Sequence, residues 1–193
     1  MSSSASLVDY RAALTTPGAP VPVLASAVGR LPIAMLPLAL LLYVQQVSGS
    51  FAAAGLVSAG TMVGVAAGSV TQGRIMDRLG PTRPLLLVVG LFALAVTALV
   101  TAVETRQPLP VLVAFATVSG LVRPALEGAS RSLWSGLVPP GPVRSAAYSY
   151  EAISLEVFFI LGPAIAAFLV AAAPWPGLGV VAAAAAMALG ATG

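Results

Sequence analysis

The amino-acid sequence predicts an all-α protein that crosses a lipid bilayer six times. Apolar residues make up 59% of its 193 residues and charged residues only 8%, and the mean hydropathy is +1.00. A typical soluble domain carries about 25% charged residues, so this chain has too few to cover a surface that faces water. At roughly 20 residues per spanning helix, the length accommodates six spans with short loops and a tail.

Six apolar runs follow one another along the chain, separated by short polar or proline-rich segments. Pro139, Pro140 and Pro142 mark a loop, because clustered prolines cannot extend a helix. Residues 1–24 lack the charged-then-apolar order of a cleaved signal peptide, so we expect a disordered cytoplasmic tail there. The spans predicted within 25–193 are residues 25–46, 50–70, 84–103, 109–138, 145–173 and 178–193, of which the last is incomplete.

The distribution of arginine predicts the orientation of these spans. Cytoplasmic loops accumulate positive charge, and the loops on the opposite side contain only Arg106, which Glu104 balances. We therefore expect a multi-pass protein of the inner (cell) membrane with a cytoplasmic N-terminus. The arginines assigned to the cytoplasmic side precede the first span, or lie in or beside the second–third and fourth–fifth loops: Arg11, Arg30, Arg74, Arg78, Arg83, Arg131 and Arg144.

The absence of two residue types excludes several kinds of chemistry. The chain contains no Cys and no His, which excludes disulfides, cysteine nucleophiles, iron–sulfur clusters and His-ligated zinc or haem. Its aspartates, Asp9 and Asp77, lie outside the predicted spans, so intramembrane aspartyl proteolysis is excluded too. The basic residues are scattered rather than clustered, which argues against a nucleic-acid partner. We predict that the protein is not an enzyme and holds no metal or cofactor.

The segment between the second and third spans is the most informative part of the sequence. It reads Gly73-x-x-x-Asp77-Arg78-x-Gly80-x-x-Arg83, at a helix exit on the predicted cytoplasmic side. A glycine at 73 lets another helix approach closely, and Gly80 permits a tight turn. The opposite charges lie at a membrane interface, where a lowered dielectric constant strengthens pairing.

This segment resembles the loop motif Gly-x-x-x-Asp-Arg-x-Gly-Arg-Arg between the second and third helices of the major facilitator superfamily. It departs from the motif at 81–82, where the family usually has basic residues, and Arg83 supplies a charge one place later. The resemblance implies the N-terminal six-helix half of a twelve-helix transporter, in which Asp77, Arg78 and Gly80 form a gate. The implied partners are the lipid bilayer, a small-molecule substrate, and the missing C-terminal half or a second chain that supplies it.

A second resemblance lies in the fifth predicted span. Gly162-Pro163 is similar to the Gly-Pro of a motif in the proton-coupled drug exporters of this family, with Ile153 at an earlier Gly position and Ala166-Ala167 at a later Gly pair. Similarity to these bacterial members implies efflux by antiport, with the proton gradient as the energy source and no cofactor.

Small residues form a stripe along the second predicted span. Gly60, Gly64 and Gly68 recur every four residues and therefore lie on one helix face. Such a stripe allows helix backbones to pack closely in lipid, so we predict a role in helix packing.

Charged residues inside the predicted spans are candidates for proton coupling or for an intramembrane ion pair, because charge is expensive in lipid. Arg123, Glu127 and Arg131 follow one another at i, i+4 and i+8, and Arg123 lies roughly 20 Å deep by helix rise. Glu156 falls near mid-membrane and is a candidate proton carrier or partner of Arg123. Glu151 is shallower and points about 140° away from it around the helix. Structural alternatives stay open: Arg123 and Glu127 neutralise each other, or Glu156 forms a buried ion pair that only fixes helix register.

The predicted function is secondary active transport of a small molecule, by proton-coupled efflux and alternating access. The alternative is a non-catalytic six-helix channel or structural membrane protein that acts as an oligomer. Substrate identity does not follow from the sequence. Tyr43, Gln45 and Gln46 offer polar groups that either contact a modestly polar compound or line the outer mouth.

Overall fold

A computed structural model describes residues 6–17, 20–80, 82–125 and 134–192, with only the helical backbone at 20–28 and 192. Every regular element in these ranges is helical, which confirms the predicted all-α polytopic membrane fold. A further helical turn covers 134–137. The helices are α1 (Leu7–Thr15), α2 (Pro20–Ser48), α3 (Phe51–Leu79), α4 (Thr82–Glu104), α5 (Leu109–Leu121), α6 (Pro142–Ala172) and α7 (Leu178–Thr192).

Four of the described helices are long and apolar enough to cross a membrane. They include Gly29–Ser48 of α2, Phe51–Leu79, Thr82–Glu104 and Pro142–Ala172. Two shorter apolar helices, α5 and α7, lie within the fourth and sixth predicted spans. The chain is therefore a multi-pass membrane protein.

Short turns with specific chemistry connect the long helices. After α2 the chain reverses at Gly49, whose φ of 69° suits a residue without a side chain. Ser50 then caps α3, because its hydroxyl accepts a hydrogen bond from the Ala53 N–H at 3.2 Å. At the other end of α3, Gly80 takes a φ of 77° and its N–H donates to the Met76 carbonyl.

The N-terminal segment differs from the disordered tail that we expected at 1–24. Residues Leu7–Thr15 form α1, because Ser6 and Asp9 build a reciprocal capping box at its start. The hydrogen bonds from Ser6 also hold the pKa of Asp9 below its usual value. One turn after Asp9, Ala13 is buried against Trp134 and its apolar neighbours, which docks α1 onto the bundle. The capping box satisfies the first backbone N–H groups, and this contact supplies the remaining stabilisation.

The fourth apolar segment also differs from the expected span at 109–138. Helix α5 ends at Leu121, where Val122 and Arg123 leave the helical path. Pro124 explains the break, since proline has no N–H to donate to the Gly120 carbonyl and disfavours helical geometry at the residue before it. The Arg123 N–H instead donates to the Gly120 carbonyl at 3.1 Å.

Helix α2 lies at the centre of the bundle. It packs extensively against α7 and α6 and also contacts α3, while α4 packs against α5 and α7. Its residues Ala39, Leu40, Tyr43 and Val44 are buried in the main apolar core. Because α2 touches most of the other helices, it sets the positions of the groups that they carry.

The glycine stripe of α3 lies against α5. A methyl group at Gly64 or Gly68 would overlap the backbone of α5 near Thr117 or Leu121, and one at Gly60 would lie 3.0 Å from the Val113 carbonyl oxygen. No larger side chain fits without separating these two helices, because the backbones are already in contact.

Candidate functional site

The helices enclose a cavity of about 310 Å³ with a mainly apolar wall. Ile33 and Leu40 of α2 and Phe92 of α4 contribute to this wall. Met62 of α3 and Phe159 of α6 also line it, and they are 58% and 53% exposed, so the cavity opens between these two helices. Small-molecule pockets typically measure about 300–1,000 Å³, and this cavity falls at the lower end of that range.

Four polar residues interrupt the apolar wall: Ser58, Thr61, Ser119 and Arg123. The hydroxyls of Thr61 and Ser119 donate to backbone carbonyls of their own helices at 3.2 and 2.8 Å. The Ser58 hydroxyl is buried and has no hydrogen-bond partner in the described part of the chain. Buried polar atoms are usually paired, so this hydroxyl stands out among the groups that line the cavity.

Arg123 reaches the cavity from the break that follows α5. The side chain of Gln72, which is only 5% exposed on α3, spans this break. Its Nε2 donates to the carbonyl oxygens of Leu121 and Arg123 at 3.1 and 2.9 Å, and its Oε1 accepts from the Ala125 N–H at 3.1 Å. One side-chain amide therefore satisfies three backbone groups that the broken helix leaves open.

A buried ion pair joins α2 to α6. The Arg30 Nη2 lies 2.9 Å from Glu151 Oε1, with the two side chains 5% and 9% exposed. Trp134 donates a 2.8 Å hydrogen bond from Nε1 to the same carboxylate oxygen, and Arg30 Nη1 donates to the Glu151 backbone carbonyl at 3.4 Å. Arg30 had been expected ahead of the first span. It lies instead within α2, because the Glu151 carboxylate compensates its charge inside the protein, and Trp134 donates to the same carboxylate.

The structure separates the two glutamates of α6. Glu151 is buried in the ion pair, whereas Glu156 is exposed on the helix surface. Glu151 therefore pairs with Arg30, whereas Glu156 makes no ion pair with another residue that the structure describes. Glu127 lies outside the described residues.

A second polar cluster lies at the opposite end of α2. The Tyr43 hydroxyl and Trp175 Nε1 each donate to Glu104 Oε1 at 2.6 Å, and the two rings meet edge to face with centroids 6.2 Å apart. Tyr43 follows Arg30 by thirteen residues, which is about 20 Å along the helix. The cluster ties α2, the end of α4 and the α6–α7 turn together, and it gives Tyr43 a packing role inside the bundle.

The predicted gating loop is accessible at the end of α3. Asp77, Arg78 and Arg83 are exposed, and none of them makes an ion pair with another described residue. A methyl group built on Gly73 would meet nothing within 4 Å, so this side of α3 is open. Together with the exposed Arg74, the segment therefore presents three positive charges, one negative charge and an uncovered glycine.

The Gly162-Pro163 pair lies where α6 crosses α2. A methyl group on Gly162 would lie 2.7 Å from the Ala34 side chain and 3.2 Å from the Met35 amide nitrogen. The small residue therefore permits close packing of these helices. Pro163 remains within the helix.

Sequence reasoning missed three residues of this constellation: Arg30, Trp134 and Gln72. Arg30 was assigned to a flanking segment, although its place five residues inside the predicted span 25–46 could have drawn attention to it. Nothing local distinguishes Gln72 or Trp134, whose partners lie on other helices. The described residues contain no group of three or more His, Cys, Asp or Glu side chains that could hold a metal ion.

An all-α bundle of membrane-length apolar helices around an apolar cavity defines the class as a multi-pass membrane protein. The family model of the Major Facilitator Superfamily matches residues 23–192. The chain therefore belongs to the major facilitator superfamily, a family of membrane transporters. No curated protein sequence and no solved structure gives a significant match to the chain.

Proposed function

We propose that this chain forms the N-terminal bundle of a proton-coupled exporter of small apolar molecules. The cavity carries the proposal: it has an apolar wall, a buried unpaired hydroxyl at Ser58 and a cationic residue, Arg123. An apolar molecule with one hydrogen-bonding group would match these features. Alternating access requires a second bundle that rocks against this one, with the substrate between them.

The open rim of the cavity supports a second bundle as the partner. Met62 and Phe159 are apolar and exposed where the cavity opens, and a facing bundle would cover them. The exposed Asp77 and Arg78 of the gating loop and the uncovered Gly73 lie on α3 as well. We propose that another helix packs at Gly73 and pairs with Asp77 and Arg78 when the cytoplasmic side is closed. That helix comes either from the same polypeptide or from a second chain.

We assign proton transfer to Glu156 rather than to Glu151. Glu151 is held by both Arg30 and Trp134, and this favours a structural role. Glu156 is exposed on α6, three residues before the cavity residue Phe159, so about 60° separates the two around the helix. A carboxyl group beside the cavity can bind a proton from the cavity and release it there. The charge state of this carboxyl group would bias the inward–outward equilibrium of the transporter through Arg123. The arginine distribution supports an inner-membrane location with the N-terminus in the cytoplasm.

Glu156→Gln will abolish proton-driven export, because the amide cannot bind and release a proton. The assay uses the complete transporter in proteoliposomes, an imposed pH gradient, and neutral and cationic fluorescent dyes as probes. Glu156→Asp is the matched control and should retain gradient dependence, since it keeps a carboxyl group. Export by Glu156→Gln that still follows the pH gradient would contradict the assignment. Dye flux that ignores the gradient in the unmodified protein would support the channel alternative.

Asp77→Asn will slow export roughly three- to tenfold without reducing the amount of protein in the membrane, because it removes one partner of a gate ion pair worth about 1 kcal/mol. Dye export and membrane protein content are measured together. Asp9→Asn, at the other aspartate of the chain, is the control and should leave export unchanged, because α1 packs mainly against α6. Unchanged export by Asp77→Asn would refute the gating role.

A further inference from the structure

The break after α5 is bridged by a side chain from another helix, and this bridge has a particular geometry. In an unbroken helix the Ala125 N–H would donate directly to the Leu121 carbonyl. Here the Gln72 amide is inserted between these two groups: Nε2 donates to the Leu121 oxygen, and Oε1 accepts from the Ala125 N–H. Gln72 thus replaces one missing helical hydrogen bond by two longer-range ones, as inserted side chains do in helix kinks.

The same amide also holds the residue that faces the cavity. A second hydrogen bond from Nε2 goes to the Arg123 carbonyl oxygen at 2.9 Å. Because Leu121, Arg123 and Ala125 are all tied to one buried side chain, the backbone on both sides of Arg123 is fixed relative to α3. Backbone that leaves helical geometry at membrane depth is tolerated only where its polar groups are satisfied within the protein.

We propose that Gln72 is a positioning residue that fixes Arg123 at the cavity wall. Only glutamine combines the length, the donor and the acceptor needed to span this break. A carboxylate lacks the donor, and a methionine of similar length lacks both groups. Gln72 directly precedes Gly73 of the gating loop, so a shift of this end of α3 is transmitted to Arg123 through the bridge. This inference rests on the proposed function in one respect, namely that Arg123 takes part in transport; the bridge itself does not depend on it.

The bridge itself is tested by hydrogen–deuterium exchange of the segment around residues 121–125 in the purified protein. Gln72→Met will raise the exchange rate of this segment about tenfold, since the Ala125 amide loses its acceptor. Gln46→Met, the same change at an exposed glutamine of α2, is the control and should leave the segment unchanged. Equal exchange in Gln72→Met and the control would overturn the proposal.

Gln72→Glu adds a second measurement, the pH dependence of the exchange rate. A side chain that only fills space would not produce such a dependence. When protonated, the introduced carboxyl group donates to one carbonyl and accepts from the Ala125 N–H, so exchange should approach that of the unmodified protein at acidic pH. At alkaline pH the carboxylate can still accept from the Ala125 N–H, but it has no donor and the Leu121 and Arg123 carbonyl oxygens repel it, so the bridge should open and the excess exchange should return. Rates are compared with the unmodified protein at each pH. An excess that does not depend on pH would overturn the bridging role.

Dye export then shows whether Gln72 acts through Arg123. Gln72→Met, Arg123→Ala and the double variant are compared in proteoliposomes. If the two residues share one role, the loss of export in the double variant should be smaller than the sum of the losses in the two single variants. Additive losses of export would overturn the positioning role. If the unmodified protein shows no gradient-driven export, the proposed function fails, and the exchange measurements still decide whether the bridge fixes this segment.

Discussion

Replacing Glu151 with leucine will destabilise the bundle by about 3–5 kcal/mol, because Arg30 keeps its charge while its buried partner is lost. Trp134 also loses the acceptor of its indole N–H. The two effects reinforce each other, since a buried polar group without a partner carries its full desolvation penalty. Thermal unfolding in detergent micelles, followed by circular dichroism, measures the loss.

Two further variants distinguish the loss of the ion pair from a general effect of replacing glutamate with leucine. Glu156→Leu places the same change on the exposed surface of α6 and should alter stability by less than about 1 kcal/mol. Combining Arg30→Met with Glu151→Leu removes both charges and should recover much of the lost stability, because paired buried charges can be replaced by apolar groups at little cost. A double variant as unstable as Glu151→Leu alone would show that the ion pair does not hold α2 to α6.

Gly64→Ala will separate α3 from α5 and destabilise the protein by about 1–3 kcal/mol or more, because the added methyl group overlaps the backbone at Thr117. The neighbouring backbone cannot move as a flexible side chain would. Unfolding by denaturing detergent, monitored by circular dichroism, gives the change in stability.

The matched control for this substitution lies on the same helix. Gly55→Ala adds its methyl group to open space, where nothing lies within 4 Å. Alanine has the higher helix propensity by about 1 kcal/mol, so this control should be neutral or slightly stabilising. Equal stability of the two variants would show that close contact between the α3 and α5 backbones contributes nothing.

Local patterns along the chain were sufficient to predict the helical membrane class. The apolar runs, the glycines of α3 at four-residue spacing and the turns at Gly49 and Gly80 depend on neighbouring residues only. Helix periodicity therefore also predicted that Gly60, Gly64 and Gly68 share one face. It could not identify α5 as the helix that this face meets, since that choice depends on how the helices assemble.

Two local signals were present in the sequence but were outweighed by general expectations. The Ser6-x-x-Asp9 capping box marks the start of α1 within a segment whose composition suggested disorder. Pro124 ends α5 within an apolar run that was long enough to suggest one continuous span. In both cases the chemistry of one or two residues overrode the composition of the surrounding segment.

The sequence by itself determined that this protein consists of apolar helices in a membrane, with a loop that resembles that of the major facilitator superfamily. Only the tertiary structure decided which charges meet. Arg30 and Glu151 are 121 residues apart, and Gln72 and Ala125 are 53 apart. The periodicity of a helix fixes the direction of a side chain relative to its own axis. Its partner depends on the rotation and depth of a second helix, which follow from packing around α2.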